Sequence, residues 1–104
     1  MSTTVDVDEL AGVEGLYLFH LEPRYRHAGH RLGWSTDLQA RIRQHLDAGR
    51  RSSPLIRAQL AAGGSAVVAR VWVGGDRTLE SRLKRGGGLS RHCPLCRASG
   101  RFHA

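Results

Sequence analysis

Apolar and polar positions change period several times along the chain, and each change marks an element. Residues 15–21, Gly-Leu-Tyr-Leu-Phe-His-Leu, read as a strand. Leu16, Leu18 and His20 fall on one face, and Tyr17, Phe19 and Leu21 on the other. Pro23 is expected to stop it, because proline has no N–H for a ladder. A second short strand over His30–Trp34 then pairs back as a hairpin, with a loop longer than the two-residue kind. From Thr36 the period becomes helical. Leu38, Ile42 and Leu46 recur at every fourth position, Thr36 and Gln39 have capping-box spacing, and Gly49 is a C-terminal stop. Ser52 or Ser53 before Pro54 opens a second helix that runs to about Ala62 and ends at Gly63-Gly64. The strongest strand signal is the β-branched run 65–73, with Val67, Ala69, Val71 and Val73 expected on one face. Asp76 or Thr78 caps a third helix carrying Leu79 and Leu83, and Gly86-Gly87-Gly88 closes it before a basic tail that contains two cysteines. The predicted order β-β-α-α-β-α is a small α/β sandwich. Its sheet is three-stranded and mostly antiparallel, flanked by three helices.

Composition changes this picture mainly through charge. The 104 residues hold 16 Lys+Arg against 9 Asp+Glu, a formal net charge of +7. Residues 1–22 carry five of the acids and no Lys or Arg, so this stretch has charge −5 and the remainder +12. A body so basic attracts polyanions, of which nucleic acid is the commonest in cells, although arginine-rich composition also follows from genomic base content. No apolar run approaches the roughly 20 residues of a membrane helix, and no basic-then-apolar leader opens the chain. A cytoplasmic protein without membrane contact is expected. Two cysteines are too few for a disulfide framework.

Three motifs then stand in order on the predicted elements: Gly15-Leu16-Tyr17 on the first strand, Arg31-Leu32-Gly33 leading into the first helix with Arg41 and His45, and Leu79-Glu80 through Arg85 on the third helix. This series resembles the GIY-YIG nuclease superfamily. Together with the ending Arg91-His92-Cys93-Pro94-Leu95-Cys96, it is similar to a group of short actinobacterial members. The resemblance covers about residues 15–97. Residues 1–13, without clear periodicity, read as an acidic flexible arm, and the resemblance then implies a GIY-YIG-type nuclease domain (14–97) followed by a basic tail (98–104). It also implies metal-dependent endonuclease activity.

Phosphodiester hydrolysis needs a water brought onto phosphorus, compensation for added negative charge, and help for the departing oxygen. The resemblance maps the glutamate that holds Mg²⁺ or Mn²⁺ to Glu80, the phosphate-contacting helix arginine to Arg41, and the first-motif tyrosine to Tyr17. The residue types suit these roles. A carboxylate is the natural ligand of a hard cation, a guanidinium offers phosphate two parallel donors, and a phenol can relay a proton. His45 stands four residues after Arg41, on the same helix face, and an imidazole titrating near neutrality could relay protons or bind phosphate. Plainer roles are open for the same residues. Glu80 has ion-pair spacing to Lys84, Tyr17 could pack simply for its ring, and Arg41 and His45 could be solvated.

Two departures from the family pattern bear on catalysis. Arg31 stands where the second motif has tyrosine, and arginine stays protonated and cannot serve as a base. The chain contains no asparagine to match the one many members carry near the C-terminus. The alternative function is a weak or inactive nucleic-acid-binding module on the same fold. A third reading is a zinc-stabilised domain whose charge serves an acidic protein.

Arg31, Arg50, Arg51, Lys84, Arg85 and Arg91 are the expected contacts to nucleic-acid phosphates. With few aromatics for base stacking and no sequence-reading helix, low specificity is expected, DNA is preferred to RNA, and a protein partner could supply specificity. Trp34 and Trp72 read as core. Independently of the resemblance, Cys93-x-x-Cys96 has the spacing of half a zinc site, and His27-x-x-His30 could supply the other half as structural Zn²⁺ ligands. His92 and His103 compete as ligands, and two unliganded thiols in a tail are the plainer alternative.

Overall fold

The computed structural model describes residues 5–25 and 28–99. Its three strands are β1 (Gly15–Tyr25), β2 (Ala28–Ser35) and β3 (Ser65–Val73), in the sheet order β2-β1-β3 with both pairings antiparallel. The helices are α1 (Leu38–Leu46), α2 (Pro54–Ala61), α3 (Arg77–Arg85) and a short α4 (Pro94–Ser99), with 3₁₀ turns at Val7–Leu10 and Leu89–His92. The expected α/β order β-β-α-α-β-α is therefore present. The cysteine-containing tail adds the second 3₁₀ turn and α4.

β1 is the central strand, and every residue from Gly15 to Leu21 is buried. Its alternation divides the core as the sequence indicated. Tyr17, Phe19 and Leu21 pack with Leu38, Ile42 and Ile56 under α1 and α2. Leu16 and Leu18 pack with Leu32, Ala69, Cys93 and Cys96 on the opposite face, where Leu79 and Leu83 of α3 join them.

Five local expectations are corrected. Pro23 does not end β1, which continues to Tyr25. The ladder to β2 is irregular between His20 and Tyr25, and proline is tolerated where no ladder N–H is required. The face assigned to β3 is broken by a bulge. Leu18 pairs with Arg70 but Phe19 with Val68, so Ala69 is the extra residue. Ala69 and Val71 consequently join opposite cores, while Val67 and Val73 are exposed. The Thr36/Gln39 capping box does not form. Asp37 caps α1 by accepting from the N–H of Ala40, and the Gln39 amide instead donates to the carbonyls of Val7 and Asp8. Leu46, placed in the buried stripe, is 43% exposed at the last turn of α1. Finally, the acidic N-terminal stretch is not loose over its described part, since Leu10 is buried and Val5, Val7 and Val13 pack against the larger core.

Candidate active site and a buried His/Cys cluster

Tyr17 is positioned by a missing side chain. It lies directly across the ladder from Gly33, and a Cβ at Gly33 would collide with the Tyr17 ring and hydroxyl. The glycine of the second motif thus lets the phenol cross β2 and reach the sheet edge. Its oxygen meets His45 Nε2 at 2.8 Å, and Nδ1 of the same ring lies 2.9 Å from the backbone N of Ser53. A backbone N–H can only donate, so Nδ1 accepts, and in the neutral ring Nε2 carries the proton and donates to Tyr17. Ser52 holds the helix end nearby, its hydroxyl donating to the His45 carbonyl at 2.9 Å.

The His45 ring is fully buried. Burial, then the positive charges of Arg41 and Arg31, lower its pKa to about 4. This corrects the expectation of an imidazole titrating near neutrality. His45 is a fixed neutral donor that orients Tyr17. Burial pushes the Tyr17 phenol up, partly opposed by a hydrogen bond and charge from Arg41 and by the charge of Arg31. Arg41 is itself braced, donating from Nη1 to the Arg51 carbonyl at 2.7 Å and to Gln44 Oε1 at 3.0 Å.

At the β2 edge the two faces of the sheet meet in a cleft of about 220 Å³ lined by Tyr17, Arg31, Gly33, Trp34, Arg41, Arg77 and Glu80. Three of the four catalytic candidates therefore line one concavity, and the fourth, His45, stands behind Tyr17. Glu80 does both things the sequence offered. It lines the cleft, and its Oε2 lies 3.3 Å from Lys84 Nζ, the glutamate side chain being 19% exposed. One carboxylate among three guanidiniums leaves the cleft positive. Arg31 Nε and Trp34 Nε1 are buried donors without a hydrogen-bond partner among the described residues.

Arg77 and Trp34 are the cleft residues that the sequence reading missed. The Arg77 guanidinium sits 4.8 Å over the Trp34 ring, a cation–π arrangement that takes the indole out of the pure core role assigned to it. A signal existed, since Arg77 precedes Glu80 by three positions and so shares its helix face. Arg77 also opens a shallow basic groove with Lys84 and Arg85. Arg50 and Arg51 are exposed just beyond α1, close in sequence to the carbonyl that braces Arg41. Arg91 is exposed and lines neither cleft.

On the opposite sheet face, His20, His30, Cys93 and Cys96 are all buried, and their ligand atoms lie within 4.8 Å of one another. The group is suited to a metal ion. His27, the expected partner of His30, lies outside the described residues, as does His103. The place opposite His30 is taken by His20, its ladder partner on β1. His92 turns elsewhere, its ring edge-on to Trp72 at 6.3 Å. His20 was legible as the polar member of an apolar strand face, but only the hairpin register sets it beside His30.

No helix among the described residues is long and apolar enough to cross a membrane. No protein-family model, curated protein or solved structure matches the chain.

Proposed function

We propose that the protein is a metal-dependent endonuclease of GIY-YIG type that hydrolyses nucleic-acid phosphodiester bonds with low sequence specificity, acting on DNA in preference to RNA. The observation that carries this reading is the single cleft that gathers Tyr17, Arg31, Arg41, Arg77 and Glu80. Guanidiniums converging on a small concavity suit a phosphate, and the unpartnered Arg31 Nε and Trp34 Nε1 await acceptors. The donor set also fits a hard cation, because Glu80 offers carboxylate oxygen and such an ion takes its remaining ligands from phosphate and water. Glu80 would hold Mg²⁺ or Mn²⁺, and the bound ion would act as a Lewis acid toward the phosphoryl oxygens.

The chain's own residues account for the rest. With His45 Nε2–H donating to the Tyr17 oxygen, the phenolic proton is available to the cleft that Tyr17 lines. Tyr17 can pass that proton to a phosphate oxygen and, as phenolate held by His45 and stabilised by the charges of Arg41 and Arg31, take one from water. Arg31 cannot replace the lost second phenol as a base. It adds a phosphate donor instead, trading proton-transfer capacity for binding. The basic groove of Arg77, Lys84 and Arg85 extends the positive surface for the flanking strand.

Supercoiled plasmid with Mg²⁺ tests the reading. Nicking by the wild type that disappears in Glu80→Ala supports it. Salt-sensitive binding with no cleavage in any divalent metal overturns it in favour of a binding module. Failure to bind nucleic acid at low salt removes both and leaves a domain directed at an acidic protein.

A further inference from the structure

The face of the sheet opposite Tyr17 has a thin cover. α3 buries none of its residues completely, α4 has six residues, and the 3₁₀ turn before it has four. Helices this short do not hold themselves in water, and small domains compensate with a staple. Where the C-terminal part of this cover meets the sheet, two imidazoles from β1 and β2 and two sulfurs are buried together. We propose that His20, His30, Cys93 and Cys96 form a structural Zn²⁺ site that clasps the C-terminal segment onto the β1–β2 hairpin.

Three of the six ligand-atom separations match a tetrahedron's edges, and all lie within 4.8 Å. Zinc binds sulfur at about 2.3 Å and imidazole nitrogen at about 2.0–2.1 Å, which in tetrahedral arrangement sets S···N separations of about 3.6 Å. Cys93 Sγ lies 3.5 Å from His20 Nδ1, Cys96 Sγ lies 3.6 Å from the same nitrogen, and Cys96 Sγ lies 3.3 Å from His30 Nε2. Hydrogen bonding alone does not explain this convergence. His20 Nε2 lies 3.1 Å from Glu22 Oε2, so in the neutral ring Nε2–H donates to the carboxylate and Nδ1 presents one lone pair. Two sulfurs nevertheless close on that nitrogen, and a central cation satisfies both. The Glu22–His20 pair is also the carboxylate–histidine arrangement that orients metal-bound imidazoles. Two thiolates neutralise the dication, so the occupied group buries no net charge, whereas the same groups packed without an ion would bury polar atoms for little return.

The ligands come as a ladder pair, His20 with His30, and as a Cys-x-x-Cys knuckle in which the N–H of Arg97 donates to the Cys93 carbonyl at 3.0 Å. Cys93 and Cys96 pack with Leu79 and Leu83 of α3, so the clasp also steadies the helix that carries Glu80.

Elemental analysis of the full chain, purified under reducing conditions without added metal, is expected to give about one zinc per chain. Zinc should be lost in His20→Ala and in Cys96→Ser, and kept in His27→Ala and His92→Ala. Wild-type apoprotein titrated with Co²⁺ should develop intense tetrahedral d–d bands and thiolate-to-cobalt charge transfer. If His20→Ala fails to fold, His20→Cys decides, because it keeps four ligands and should strengthen the charge-transfer band by adding a third thiolate. Three results would overturn the proposal: less than about a tenth of an equivalent of zinc with only weak octahedral cobalt bands, zinc that depends on His27 rather than His20, or a Cys93–Cys96 disulfide in the freshly purified protein. None of these readouts depends on nuclease activity.

Discussion

The two faces of the sheet are built from the same central strand but are covered by different physics. Under α1 and α2, eight buried residues from five segments form a continuous apolar cluster, to which the hydrogen bonds of Gln39, His45 and Gln59 are added. The other face has four buried aliphatic residues and two cysteines, and Leu79, Leu83, Leu89 and Leu95 of the elements over it are only partly buried. The proposed zinc site would do there, with directed bonds from four side chains, what apolar area does on the first face. The candidate active site lies where the two faces meet, at the β2 edge, and takes Tyr17 and Arg41 from the well-packed side and Arg77 and Glu80 from the clasped side.

The largest effect expected from breaking this arrangement is zinc withdrawal. Chelation should destabilise the clasped layer by on the order of 4 kcal/mol, lowering Tm by roughly 20 °C in differential scanning fluorimetry. It should also depress nicking that fresh Mg²⁺ alone does not restore, because Glu80 rides on that layer. On the other face, Tyr17→Phe keeps the ring packing and removes only the hydroxyl. It should lower the nicking rate about 10²- to 10³-fold with little change in Tm. Arg31→Ala should instead act mainly on KM.

A smaller effect separates the faces by pH. His45 has a folded pKa near 4 against an ordinary 6.5, so the unfolded chain takes up its proton first. The resulting stability is complete above about pH 6.5 and is lost as pH falls toward 4, at most about 3 kcal/mol. Urea titrations of wild type and His45→Gln across this window should converge at the acid end, and parallel curves would refute the assignment.

Gly33→Ala should cost about 2 kcal/mol and displace Tyr17, since the new methyl enters its ring, whereas Gly49→Ala, with open space around it, should change stability by less than about 0.5 kcal/mol. The smallest effect is expected at Asp8→Ala, which removes the surface ion pair to Arg43. Both partners are more than half exposed, and the change should stay within about 0.5 kcal/mol in the same titrations.

Much of this molecule was written into local pattern. The alternation of residues 16–21 assigned side chains to two cores because a strand's period is two, and a central strand has no choice about which neighbours lie on which face. The spacing of Leu38 and Ile42, the glycines after α2 and α3 and the Asp76 cap determined helices for equally local reasons, the Asp76 carboxylate accepting from the Leu79 N–H at 2.9 Å. By contrast, α1 ends at Leu46 with Ala48, not the expected Gly49, in the left-handed conformation. Local pattern failed where two segments had to be aligned. The bulge at Ala69 depends on how β3 meets β1, and no periodicity within 65–73 announces it. The cap of α1 passed to Asp37 because Gln39 was drawn to the N-terminal turn, a contact spanning more than thirty residues.

The candidate sites divide in the same way. Sequence alone determined that Tyr17, Arg41 and Glu80 sit on a strand and two helices, with side chains of the types that phosphate chemistry uses, and that Cys93 and Cys96 have the spacing of a knuckle. Only the tertiary structure decided that His45 is neutral, because its pKa is set by burial and by two arginines, one of them on another element. Only it brought Arg77 over Trp34 and chose His20 as the partner of His30, since that choice rests on hairpin register. Residue type and spacing are properties of one segment, while ligand sets and ionisation belong to groups that meet across segments, and the pairing of strands is what makes them meet.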